Sequence, residues 1–67
     1  MRVTINGDLQ EVPDTCATIR DLLAHLQLDQ KIVVVEHNRR ILQKEDHASS
    51  ELKEGDQIEL VHFVGGG

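Results

Sequence analysis

Thr18-Ile19-Arg20-Asp21-Leu22-Leu23-Ala24-His25-Leu26-Gln27 is the stretch around which the rest of the chain has to be arranged. Ile19, Leu22, Leu23 and Leu26 fall at i, i+3, i+4 and i+7, which lines up one apolar stripe on an amphipathic helix. Thr18 stands where an N-cap belongs, and Asp21 three residues later completes the pattern of a capping box. The spacing predicts a helix from about Thr18 to Gln27. Such a stripe must cover an apolar surface, and the flanking segments supply one.

Ahead of the helix, Arg2-Val3-Thr4-Ile5-Asn6 alternates polar and apolar residues, the period of a half-buried strand with Val3 and Ile5 inward. Asn6-Gly7 is a strong hairpin signal because both residues tolerate positive φ. Leu9 to Val12 reads as the returning strand, stopped at Pro13-Asp14. Beyond the helix, Ile32 to Glu36 is a β-branched run apolar on both faces, as in the body of a sheet. Either Ile32 and Val34 or Val33 and Val35 must then face outward. Asn38-Arg39 reads as a turn and Arg40 to Gln43 as a short strand. Lys44 to Ser50 is polar and irregular with room for one helical turn, Leu52 is an anchor, and Glu54-Gly55-Asp56 is a tight turn. Gln57 to Val64 forms the last strand.

The order β-β-α-β-β-β predicts an α+β fold, one mixed sheet with the helix across one face. Ile19, Leu22, Leu23 and Leu26 are expected in the core with Val3, Ile5, Ile58 and Leu60. Residues 1–64 are expected to form the domain and residues 65–67 a flexible C-terminal tail.

At 67 residues the core is thin, and little room is left for an enclosed catalytic pocket. The single cysteine, Cys16, excludes an internal disulfide and fits a reducing compartment. The first residues lack the apolar run of a signal peptide, and no apolar stretch approaches the roughly 20 residues needed to span a membrane. A soluble, cytoplasmic protein without a membrane role is expected. The formal charge of −5 disfavours phosphate backbones, and only Arg39-Arg40 clusters basic charge. Nucleic acid is therefore not an expected partner, whereas a basic protein surface is complementary.

The histidines His25, His37, His47 and His62 have no zinc-ligand spacing, so no metal site is expected and they read as isolated surface or half-buried residues. His25 lies four residues after Asp21, a solvated helix-face pair. Cys16 precedes the helix, where a helix dipole can lower a thiol pKa. The reading favoured is a small buried residue that fills the gap between hairpin and helix. Glu45-Asp46 and Glu54/Asp56 sit in polar loops and read as solvated surface, not as a catalytic carboxylate pair.

The end of the chain is different. Ile58 and Leu60 alternate with Gln57 and Glu59; continuing the period puts His62 and Val64 inward and Val61 and Phe63 outward. The outer face thus turns apolar just before the chain ends, and Val61, Phe63 and Val64 are candidate docking residues; scattered exposed hydrophobics are the plainer reading. Gly65-Gly66-Gly67 can enter a channel too narrow for side chains, and Val64 to Gly67 extended reaches about 13 Å. The terminal carboxylate is a poor electrophile, so its use requires conversion to a mixed anhydride by another protein. A frayed terminus or a cloning remnant would also end in glycines.

Taken together, Asn6-Gly7, Thr18-Ile19-Arg20-Asp21-Leu22-Leu23, Val33-Val34-Val35-Glu36-His37-Asn38 and the ending Gly55-Asp56-Gln57-Ile58-Glu59-Leu60-Val61-His62-Phe63-Val64-Gly65-Gly66-Gly67 resemble the thiamine-biosynthesis sulfur carrier family, whose fold is a ubiquitin-like β-grasp. The resemblance implies that an E1-like adenylyltransferase uses ATP and magnesium to adenylate Gly67. Sulfur from a cysteine desulfurase or related donor then leaves a thiocarboxylate, from which thiazole synthase builds the thiazole ring of thiamine. Gly66 and Gly67 carry over from the family's Gly-Gly ending, and Gly65 lengthens the thread. On this reading the chain is a co-substrate and not an enzyme, and binds no cofactor itself. The fold and tail also suit a carrier for molybdopterin or tRNA thiolation, a ubiquitin-like modifier or interaction module, or a small enzyme using Cys16.

Overall fold

The computed structural model of the chain describes residues 1–62. Strands β1 (Arg2–Ile5) and β2 (Asp8–Glu11) form an antiparallel hairpin in the register Arg2↔Glu11 to Ile5↔Asp8. Asn6 at φ 50° and Gly7 at φ 86° make the turn between them left-handed at both central positions, the geometry that matches strand twist and selects Asn-Gly. Helix α1 spans Ile19–His25, capped by Thr18. The Asp21 amide donates to Thr18 Oγ1 at 3.2 Å, and Asp21 Oδ2 accepts from the amides of Thr18 and Ala17 at 3.2 and 3.0 Å. The expected capping box is therefore present, with one further donor satisfied.

The helix ends earlier than the apolar spacing predicts. Gln27 takes φ 62°, the Gln27 amide donates to the Ala24 carbonyl at 3.0 Å, and the Leu28 amide donates to the Leu23 carbonyl at 2.8 Å. These two bonds form a Schellman motif, which satisfies the last carbonyls of the helix. Glutamine occupies the left-handed position that glycine usually marks, so the stop leaves no trace in composition.

Strands β3 (Val33–His37), β4 (Arg40–Leu42) and β5 (Gln57–His62) complete a five-stranded sheet ordered β2-β1-β5-β3-β4. β1 and β5 run parallel and the other neighbours antiparallel, so the sheet is mixed as expected. Lys44–Asp46 is a single turn of 3-10 helix. The following segment is tied to the start of α1 by the Ile19 amide on the Ser50 carbonyl and the Leu52 amide on the Ala17 carbonyl, both 2.9 Å.

α1 packs on one face of the sheet. Val3, Ile5, Val12, Cys16, Ile19, Leu22, Leu23, Val35, Leu52 and Ile58 form the buried core. Fully burying a Leu or Ile side chain contributes about 1.5–3 kcal/mol, so Ile19, Leu22 and Ile58, almost fully enclosed, do much to hold helix to sheet. Leu26 and Leu60, expected in the core, are only partly buried, because the helix stops at His25 and leaves that end of the sheet thinly covered. Ile32 stays outside β3 and is 75% exposed. With Val35 buried and Val34 exposed, the outward pair is Ile32 and Val34.

Asp56 corrects the sequence reading most clearly. In place of a solvated loop carboxylate, it is a buried acceptor only 9% exposed. His37 Nε2 donates to Oδ2 at 2.7 Å, Asn38 Nδ2 to Oδ1 at 3.1 Å and the Lys53 amide to Oδ2 at 2.8 Å. Burial pushes its pKa up, but the bonds from His37, Asn38 and Lys53 together with the charge of His37 outweigh that, and the pKa falls below the usual carboxylate value. His37 is therefore not an isolated histidine. The Gln57 amide donates to Asn38 Oδ1 at 2.9 Å, so the network locks the β3–β4 turn to the entry of β5.

Candidate functional site

The site expected from the sequence is the end of β5 and the outer sheet face beside it. β5 is the middle strand, held by β1 on one edge and β3 on the other. It leads directly to Phe63, Val64, Gly65, Gly66 and Gly67, which lie outside the described residues.

Of the candidate docking residues, Val61 falls among the described residues and is 57% exposed, on the face away from α1 as expected. Val34 of β3 sits directly opposite it, and directly opposed side chains on one face touch. Ile32 and Ile41, 75% and 67% exposed, flank that pair diagonally in the register. Leu9, also exposed, marks the far edge on β2. Glu36 and Glu59 face each other across β3 and β5 next to this patch. Opposed like charges destabilise a sheet. The outer face is therefore an apolar strip bordered by two opposed glutamates. His62 shares the inward alternation of Leu60 but is exposed, because the helix that would cover it has already ended.

Asn6, read from sequence only as a turn residue, also reaches this region. Its side chain bonds both backbone groups of Leu60, Nδ2 to the carbonyl at 3.1 Å and Oδ1 from the amide at 2.7 Å. No composition signal marks this second role, since the turn alone accounts for an asparagine.

The remaining candidates lie apart from the site. Cys16 is 5% exposed within the core, and burial, with the nearby Asp21 charge, pushes its thiol pKa up. That is the opposite of what an activated nucleophile requires, and it supports the packing reading. Among the described residues no three His, Cys, Asp or Glu side chains are placed to hold a metal. No helix of the described residues is long and apolar enough to cross a membrane. An open groove between α1 and the 3-10 turn is lined by Arg20, Asp29, Lys44, Glu45 and His47 among others; both signs of charge alternate there without converging on a point.

A small mixed sheet, one helix on one face and a middle strand running into a glycine ending is the arrangement of a β-grasp carrier, and residues 3–67 match the ThiS family. The chain belongs to the ThiS family. It is 53% identical over 64 residues to the sulfur carrier protein ThiS of Bacillus subtilis, covering 94% of this chain and 96% of that protein. It is also 36% identical over 67 residues to the thiazole synthase of Paramagnetospirillum magneticum, where the match takes in all of this chain but 20% of the synthase. Among solved structures, the thiamine biosynthesis protein ThiS of Geobacter metallireducens superimposes with a TM-score of 0.82 at 33% identity, over 100% of both chains. The ubiquitin-like β-grasp fold expected from the sequence is thus the fold of this ThiS family member.

Proposed function

We propose that this chain is the sulfur carrier of thiamine biosynthesis and that the carboxylate of Gly67 is its reacting group. The observation that carries the reading is the near full-length likeness to a sulfur carrier protein, 96% of which is matched. The fold supports it physically. β5 is held between β1 and β3, so the strand's end is a fixed point, and Gly65 and Gly66 have no side chain to obstruct a narrow channel.

The chemistry follows from the carboxylate. One of its oxygens attacks the α-phosphate of ATP, pyrophosphate leaves, and an acyl-adenylate remains. A sulfur nucleophile then adds to the activated carbonyl and AMP departs. Where the sulfur arrives on a persulfide, a second thiol attacks the donor's sulfur in the acyl disulfide so formed, which releases the thiocarboxylate and leaves a disulfide. The described residues offer no phosphate-binding loop. An E1-like adenylyltransferase supplies the ATP and magnesium site, and a cysteine desulfurase or related donor supplies the sulfur. Thiazole synthase is the acceptor; the occurrence of a segment like this chain within a longer thiazole synthase supports that pairing. The chain is a co-substrate, not an enzyme, and works in the cytoplasm, where a lone thiol stays reduced. Val61, Phe63 and Val64, with Val34 beside Val61, form the docking surface, and Glu36 and Glu59 favour a partner with basic residues around an apolar centre.

Incubation with the adenylating enzyme and ATP is expected to support pyrophosphate exchange, and a sulfur source then replaces one carboxylate oxygen by sulfur in the intact mass. Deleting Gly67 abolishes both while the domain stays folded. Sulfur gained at the wild-type rate by the Gly67 deletion would refute the reading and favour an interaction module.

A further inference from the structure

Asn6 does two things, and the turn it opens accounts for one of them. At φ 50°, followed by Gly7 at φ 86°, it occupies a position where Asn, Asp and Gly are all accommodated. Its carboxamide is directed elsewhere. Oδ1 accepts from the Leu60 amide at 2.7 Å, Nδ2 donates to the Leu60 carbonyl at 3.1 Å, and the Asn6 amide donates to the Ile58 carbonyl at 2.9 Å. The side chain therefore stands in for the peptide group that β1 would present had it run further along β5.

The position matters because the parallel β1–β5 pairing stops at Ile5↔Ile58, where the chain turns away towards β2. Without the carboxamide, Leu60 would have both main-chain groups open on that edge, just before His62, the last described residue. Among the described residues, β3 would then remain as the support at the end of β5, through Val34↔Val61 and Val33↔His62. With it, β5 is held on both edges as far as Leu60. Both bonds lie at exposed positions, where water replaces a lost partner readily, so their effect on the folding midpoint is small. What they fix is the position of Leu60, two residues before the last described one.

We propose that Asn6 is a positioning residue for the reacting terminus: its carboxamide clamps Leu60 and thereby sets how the segment ending at Gly67 is presented to the adenylating partner. The proposal rests on the carrier reading above. A reacting group has to be held in near-attack geometry, and a displacement of about 1 Å from a remote change can cost about 100-fold. Asn6 itself lies outside the docking face, and Val61 keeps its pairing with Val34 of β3, so the affinity for the partner changes little.

The test is Asn6→Gly, which keeps the left-handed turn and removes only the clamp. Pyrophosphate exchange with the adenylating enzyme of the same organism is measured as kcat and KM for the carrier, alongside hydrogen exchange at the Leu60 and Val35 amides. The expected result is kcat lowered about tenfold with KM nearly unchanged, and faster exchange at Leu60 but not at Val35. Asn6→Asp keeps the acceptor, loses the donor and should fall between the two, which gives a second variant with the same turn. An Asn6→Gly kcat matching wild type, or a loss confined to KM, overturns the clamp although the carrier reading stands. A wild-type chain that supports no exchange at all refutes the carrier reading itself.

Discussion

Replacing Asp56 tests whether a buried carboxylate holds the two ends of the sheet network together. Asp56→Ala removes the acceptor for His37 Nε2, Asn38 Nδ2 and the Lys53 amide. A buried donor left without a partner costs about 1–3 kcal/mol. The His37 and Asp56 side chains are 14% and 12% exposed, so water reaches part of the site and the lower half of that range applies. Three donors then give a loss of about 3 kcal/mol, against a total of about 5 kcal/mol plausible for a domain this small. Asp56→Asn should be milder, at about 1–2 kcal/mol. Its oxygen still accepts two donors, but its NH2 group then faces Asn38 Nδ2, and Asn38 cannot flip without losing the bond from the Gln57 amide. Urea melts at neutral pH should show lower midpoints with unchanged slopes. The pH dependence adds an independent check. The Asp56 pKa is depressed in the folded state, so its stabilisation is fully present above the unfolded carboxylate pKa of about 3.9. It is lost as pH falls through the lower folded value. The stability gap between wild type and Asp56→Asn should accordingly narrow below about pH 4. A loss under about half a kcal/mol for Asp56→Ala, or a gap that does not change with pH, would refute the network argument.

Other outcomes follow from the core and from the proposed docking surface. Leu23→Ala should lower stability by about 2–5 kcal/mol in denaturant melts, and a loss below about half a kcal/mol would remove Leu23 from the core. Cys16→Ser places a hydroxyl in an apolar site and should cost about 1–3 kcal/mol while sulfur transfer by the folded variant persists; complete loss of thiazole formation would make Cys16 more than a packing residue. Phe63→Ala should weaken binding to the adenylating enzyme or the thiazole synthase about 30-fold, from roughly 2 kcal/mol at an aromatic hot spot. Unchanged calorimetric affinity for both would exclude it.

The hairpin, the helix start and the inward face of β5 were legible because each has a local cause written in adjacent residues. Asn6-Gly7 specifies its turn, Thr18 and Asp21 cap each other, and Ile58 and Leu60 share a period. The helix end was not, since a glutamine at a left-handed position carries no compositional mark. Asp56 was misread because its side-chain partners are distant in sequence, His37 by 19 residues and Asn38 by 18, and its local bond from the Lys53 amide does not distinguish a buried acceptor from a solvated loop acid. The paired polar residues His37-Asn38 at the end of an apolar strand were the available hint, since donors there need an acceptor. The clamp by Asn6 was hidden for the same reason, with 54 residues separating it from Leu60. The outer apolar face was half legible: alternation placed Val61 outward, but only the strand register sets Val34 against it.

The placement of β5 between β1 and β3 also governs when this protein comes into being. The strand nearest the C terminus is the keystone of the sheet, so during synthesis the hairpin, helix and β3–β4 pair must wait without a common partner until residues 57–62 emerge. Pairing across such a sequence separation is slow to nucleate, and exposed strand edges in the interval invite association with other chains. A prematurely terminated chain would lack the centre of its sheet as well as its terminus. Cellular proteolysis should therefore clear such truncated products efficiently, so that the proposed adenylating partner meets chains with an intact sheet.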